Sequence, residues 1–165
     1  MRHHVTKILP YAPDQLFALV GDVERYPEFV PWITALRTWN PRSLGEEADS
    51  LDAEASVGFA VVKERFSTRV WRDAGARQID VGLISGPFRT LANRWRFLPD
   101  PAGTRVEFDI DFALKSKVLQ ALLAANFRHA VERLMGCFEA RAKALYGQKL
   151  SPSMEEGSKS GHPVP

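Results

Sequence analysis

The sequence predicts an α+β domain: an antiparallel sheet preceded by two short helices and followed by one long helix. Three observations carry this. Six strand-like runs follow one another between residues 33 and 112, with chain reversals marked by "RDAGA" and "PDPAG". Residues 116–146 then place Leu119, Leu123, Phe127, Ala130, Leu134, Phe138 and Leu145 at steps of three, four or seven, which is a continuous apolar stripe. The third is the scarcity of helix before the sheet, where only two short helical patterns occur. At 1.5 Å per residue the long helix measures about 45 Å, enough to cross the concave face of a curved sheet and trap a cavity beneath it.

In chain order, residues 3–9 read as a short strand. "APDQLFALVGDV" reads as a helix, with Asp14 near its start and Leu16, Phe17, Leu19 and Val20 as its apolar stripe. A helical turn from Glu24 to Phe29 runs into "YPEFVPW". Pro27 and Pro31 each remove a backbone donor and restrict the residue before them, so this stretch belongs neither inside a helix nor in a central strand. Phe29, Val30 and Trp32 are therefore held in a kinked segment that is either a hydrophobic plug or a gate to an apolar site. Strands are expected at 33–39, 51–60, 62–71, 77–84, 91–98 and 104–112. The long helix stops at Gly147. The domain is expected to occupy residues 1–147, and 148–165, ending in "SPSMEEGSKSGHPVP", to form a disordered tail with almost nothing to bury.

Composition narrows the function. The 165 residues are 45% hydrophobic and 25% charged, ordinary for one globular domain with a real core. A net charge of +2 does not favour nucleic acid as a partner. No run approaches the roughly 18 apolar residues of a spanning helix, and "MRHHVTKILPY" is not a signal peptide. A cytoplasmic protein is expected. Cys137 is alone, and His3, His4, His129 and His162 are too scattered for a metal site. There is no nucleophile elbow, phosphate loop or zinc-protease motif, so a non-enzymatic role is expected.

Strand alternation names the interior. Val106, Phe108, Ile110 and Phe112 share one face, as do Leu91, Asn93, Trp95 and Phe97, and Phe66, Thr68 and Val70. Arg94 and Arg96 face outward, where a hairpin at "PDPAG" brings them near Asp109 and Glu107; Arg69 and Asp80 are expected to pair there too. Two polar residues, Glu64 and Asn93, fall on the inner face. Burying either without a partner costs on the order of 1–3 kcal/mol. Each either reaches water or the backbone, or supplies one of the few placed polar groups of an apolar ligand site.

"DVERYPEFVPW", "SGPFRTLANRWRF", "VEFDIDFALKS" and "FEARAKALYG" together resemble the coenzyme-Q-binding family of START-related domains. The resemblance implies a helix-grip fold over residues 1–147 and binding of ubiquinone, or another polyprenyl lipid, as a ligand rather than a cofactor. It also implies work alongside respiratory membrane enzymes at the inner face of the cytoplasmic membrane. Phe29, Val30, Trp32 and Phe88 then stand at the mouth of the cavity. Glu64, Phe66, Leu91, Asn93 and Trp95 line its sheet wall, and Leu123 and Phe127 its helix wall. A sister group with the same motifs includes a bacterial ribosome-association toxin, and polyketide cyclases share the fold. A cyclase would depend on Glu64 titrating within the cavity.

Overall fold

The computed structural model describes residues 1–59 and 62–147; the segment expected to form a tail lies outside the described residues. Seven strands are present: β1 (Arg2–Leu9), β2 (Ile33–Ser43), β3 (Ala48–Phe59), β4 (Val62–Asp73), β5 (Gln78–Ser85), β6 (Phe88–Asp100) and β7 (Gly103–Leu114). They form one antiparallel sheet in the order β1-β7-β6-β5-β4-β3-β2. Helix α1 (Pro13–Gly21) and a 3-10 turn (Val23–Glu28) separate β1 from β2, and α2 (Lys117–Tyr146) closes the domain. This is the helix-grip arrangement, with both helices on one face of the sheet.

Strands β2 and β6 run further than expected. On β2, Asn40 adopts a positive φ of 56° and the register slips between Trp39 and Arg42. The "NP" pair is therefore a bulge in a continuing edge strand rather than its end, which is where proline is tolerated. The start of α2 is set by Ser116, whose hydroxyl accepts from the Leu119 amide at 3.2 Å. Helix α1 begins with Pro13 at its first position. Its last turn is tied to the sheet by Arg72, which donates to the Gly21 carbonyl at 2.9 Å and to both Asp49 oxygens at 2.8 and 2.6 Å.

Charges on the outer face keep the expected register but choose other partners. Arg94 stands opposite Asp109 and Arg96 opposite Glu107. Yet Arg94 bonds Asp80 on β5 at 2.6 Å, while Asp109 is engaged by His4 of β1, also at 2.6 Å. The expected Arg69–Asp80 pair does not form. The register of β4 with β5 places Arg69 opposite Gly82 and Asp80 opposite Trp71. Arg69 instead bonds Asp52, its partner across β3, at 2.8 Å. Asn40 of β2 donates to the same carboxylate at 3.0 Å, so Asp52 joins three strands.

The core is closed at one end of the sheet. Ile79, Phe97, Phe108, Val70 and Met135 are each at most 2% exposed. Trp95 lies between Phe108 and Phe138 with ring centroids 4.3 and 5.0 Å away. Phe29 packs on Phe138 at 5.2 Å, and Val30 has no exposed surface. The Tyr26 hydroxyl donates to the Val20 carbonyl at the end of α1, and burial pushes its phenol well above the usual tyrosine range. So Tyr26, Phe29 and Val30 of "YPEFVPW" plug the closed end, while Glu28 stays exposed.

Candidate functional site

The opposite end of the inner face is differently built. Phe66, Val81, Leu83, Phe88, Leu91, Ile110, Leu123 and Phe127 all point toward the space between α2 and the sheet but stay only half-buried. A chain of rings crosses this end from β4 to β1. Phe66 meets Phe88 at 5.2 Å, Phe88 meets Phe112 at 6.4 Å, Phe112 meets Phe127 at 4.6 Å, and Phe127 meets His3 at 5.8 Å. Most of these contacts are edge-to-face, the arrangement that the aromatic quadrupole favours. The result is a half-buried apolar region, or hollow, under the first half of α2, with Phe112 buried at its centre.

Asn93 stands between the two ends. On β6 it follows Leu91 of the open end and precedes Trp95 of the closed one. The backbone register sets His3, Ile110, Asn93 and Val81 in one row across β1, β7, β6 and β5. Asn93 Oδ1 is buried and has no hydrogen-bond partner. Among the described residues it is the one buried side-chain oxygen or nitrogen left unsatisfied. Such atoms are rare in native folds, because losing water without a replacement costs on the order of 1–3 kcal/mol.

The expected site residues divide accordingly. Phe66, Phe88, Leu91, Asn93, Leu123 and Phe127 come together around the hollow. Trp95, Phe29 and Val30 belong to the closed core. Trp32 is half-buried just before β2, its carbonyl accepting from the Gly58 amide at 2.9 Å and the Arg133 guanidinium of α2 lying 5.4 Å from its ring. Glu64 lies on the inner face by alternation, but it is third from the start of β4 and exposed, so its carboxylate meets water. His3 was not singled out from sequence. Its face follows from alternation, but its neighbour Phe127 is far along the chain, with no local signal linking them.

The Leu114 amide of β7 donates to the Gln120 side chain in the first turn of α2 at 2.7 Å, and two ion pairs hold the helix further along. Lys7 on β1 bonds Glu139 at 2.7 Å, and Arg141 bonds Glu28 beyond α1 at 3.2 Å. Both lie on the second half of the helix, over the closed core. Half-buried Cys137 is also there, and burial pushes its thiol up, away from the thiolate a nucleophile needs. Among the described residues no cluster of histidine, cysteine and carboxylate could hold a metal, and no helix is long and apolar enough to cross a membrane.

Comparison with known proteins gives this architecture its kinship. Residues 9–139 match the family described as polyketide cyclase/dehydrase and lipid transport. An 18 kDa protein of Caulobacter crescentus, solved in solution, is 58% identical; the match covers 90% of this chain and 99% of that one, with a TM-score of 0.76. The ribosome association toxin RatA of Rickettsia prowazekii is 38% identical over 143 residues, covering 85% of this chain and 94% of the relative. The mitochondrial coenzyme Q-binding protein COQ10 homolog B of Xenopus laevis is 28% identical over 152 residues, covering 89% of this chain and 60% of the relative. A helix-grip sheet and a family match over residues 9–139 agree: the chain belongs to the polyketide cyclase/dehydrase and lipid-transport family.

Proposed function

We propose that the protein binds a polyprenyl quinone, or a lipid of similar build, in the hollow under α2, without transforming it. The observation that carries this reading is the unpartnered Asn93 amide oxygen in an otherwise apolar wall. A ligand hydroxyl, as on a quinol ring, can donate to Oδ1. A half-turn of the amide presents Nδ2 instead, which suits a quinone carbonyl. One side chain thus serves both redox forms of the head group, which favours a carrier over an enzyme specific for one form. The tail would lie along the rings of Phe88, Phe112 and Phe127, where apolar burial contributes about 25 cal/mol per Å2. The description of the family as lipid-transporting and the name of the Xenopus relative support this choice. The quinone-using enzymes of the respiratory membrane would be the recipients.

Titration with a short-chain ubiquinone and its quinol in detergent, read by tryptophan fluorescence and thermal shift, tests the proposal. Asn93→Leu is expected to weaken both ligands by about 0.5–1.5 kcal/mol, the value of one neutral hydrogen bond. The same change should raise the stability of the ligand-free protein by removing an unsatisfied group. Unchanged affinity in the variant, or no binding by the wild type, would defeat the assignment. Salt-sensitive sedimentation with ribosomes, in the absence of any quinone binding, would favour the activity in the names of the bacterial relatives.

A further inference from the structure

We propose that the outer face of the first three turns of α2, with the adjoining end of β6 and β7, docks on an anionic phospholipid bilayer. This rests on the lipid-binding reading and adds the surface through which ligand would be exchanged. Val118 and Leu122 lie one helical turn apart and are 71% and 63% exposed. They point away from the sheet, opposite the stripe of Leu123 and Phe127 that walls the hollow. From Ala113 to Val131 the chain holds Lys115, Lys117, Arg128 and His129 but no Asp or Glu. Among the described residues, none of Arg89, Lys115, Lys117 and Arg128 forms an ion pair. Lys117 and Arg89 face one another across a groove of about 380 Å3 floored by Leu114 and the alanines of the helix. The Lys115 amide donates to the Pro87 carbonyl at 2.9 Å, which brings the β5–β6 turn to the same end.

Exposed aliphatic residues ringed by free cations match the two layers of a membrane interface. The aliphatics enter the acyl boundary and the cations meet lipid phosphates. Ribosomal RNA would attract the cations but gain little from Val118 and Leu122, because phosphate contacts reward charge alone. A second copy of the chain would bring like charges together. Leu114, which floors the groove, stands opposite Phe88 in the β6–β7 register, so the patch lies beside the ring chain of the inner face.

The test is co-sedimentation of the full chain with phosphatidylcholine vesicles, with and without phosphatidylglycerol. Binding is expected only with the anionic lipid. The double variant Val118→Asp/Leu122→Asp should lose about tenfold or more in vesicle affinity, since each buried methylene contributes measurably. Lys115→Glu/Lys117→Glu should do the same. Both side-chain pairs are exposed, so an unchanged thermal transition is expected and separates lost docking from lost folding. Wild-type vesicle binding by either double variant, or loss of ribosome sedimentation in place of vesicle binding, overturns the proposal. Asn93→Leu keeps vesicle binding if docking is correct, whatever becomes of the quinone titration. Conversely, a quinone titration that survives in a protein that ignores vesicles defeats docking alone.

Discussion

Replacing Phe108 with alanine should destabilise the domain by about 3–5 kcal/mol, the range for removing a large ring from a filled core. The ring is 1% exposed and lies against Trp95, with Val106 and Phe97 closing the same layer. Nothing nearby is free to collapse into the space, because the row is held between the sheet and the anchored half of α2. Urea unfolding should show a lower midpoint at unchanged slope. Phe127→Ala is the internal comparison: its half-buried ring borders the hollow, so the loss should fall below that range. Stabilisation by added ubiquinone should then shrink for Phe127→Ala. Equal losses at the two positions would mean that both ends of the interior are filled, and Phe127 would leave the site.

Asp52→Ala is expected to cost about 1.5–3 kcal/mol, as for hydrogen bonds to a charged group. The carboxylate is buried on the outer face, where Arg69 and Asn40 both donate to it. These hydrogen bonds, Arg69 first and Asn40 second, hold its pKa below the ordinary aspartate value. A depressed folded pKa stabilises the protein above the unfolded pKa, and this stabilisation is lost as pH falls through the lowered value. The wild type should therefore lose stability below about pH 4, and Asp52→Asn should show a shallower loss over the same window. Parallel profiles for the two proteins would show that the three-strand junction does not depend on this charge.

The sheet and the long helix were legible because each repeats a period: alternation along the strands, and steps of three and four along α2. The same alternation flagged Asn93 and Glu64 together and could not tell them apart. Alternation gives a face but not a depth, and depth separates them: Asn93 sits mid-strand under α2, Glu64 near an open strand end. Partner choice was equally hidden. Arg94 has an acid across each neighbouring strand, and only the twisted outer face, with His4 holding Asp109, decides for Asp80. The registers that set Arg69 opposite Asp52 on β3 and opposite Gly82 on β5 carried no sequence mark. For "YPEFVPW", the prolines announced rigidity, while its role as core came from Tyr26 capping α1 and Phe29 meeting a helix more than a hundred residues away.

The pairing of β1 with β7 has a consequence for how the chain folds. Strands β2 to β7 join consecutive neighbours through short reversals, whereas Arg2 must find Asp111, 109 positions away. Closing so long a loop costs entropy before any contact returns it, and such non-local pairings slow folding. The six-stranded meander can therefore form while β7 is still a bare edge, its amides and carbonyls open to a strand of another molecule. Arrival of β1 does two things at once: it pairs β7 and becomes the sheet edge in its place, and it brings His3 to Phe127 on α2. Until then β7 is unpaired and the His3–Phe127 contact is absent.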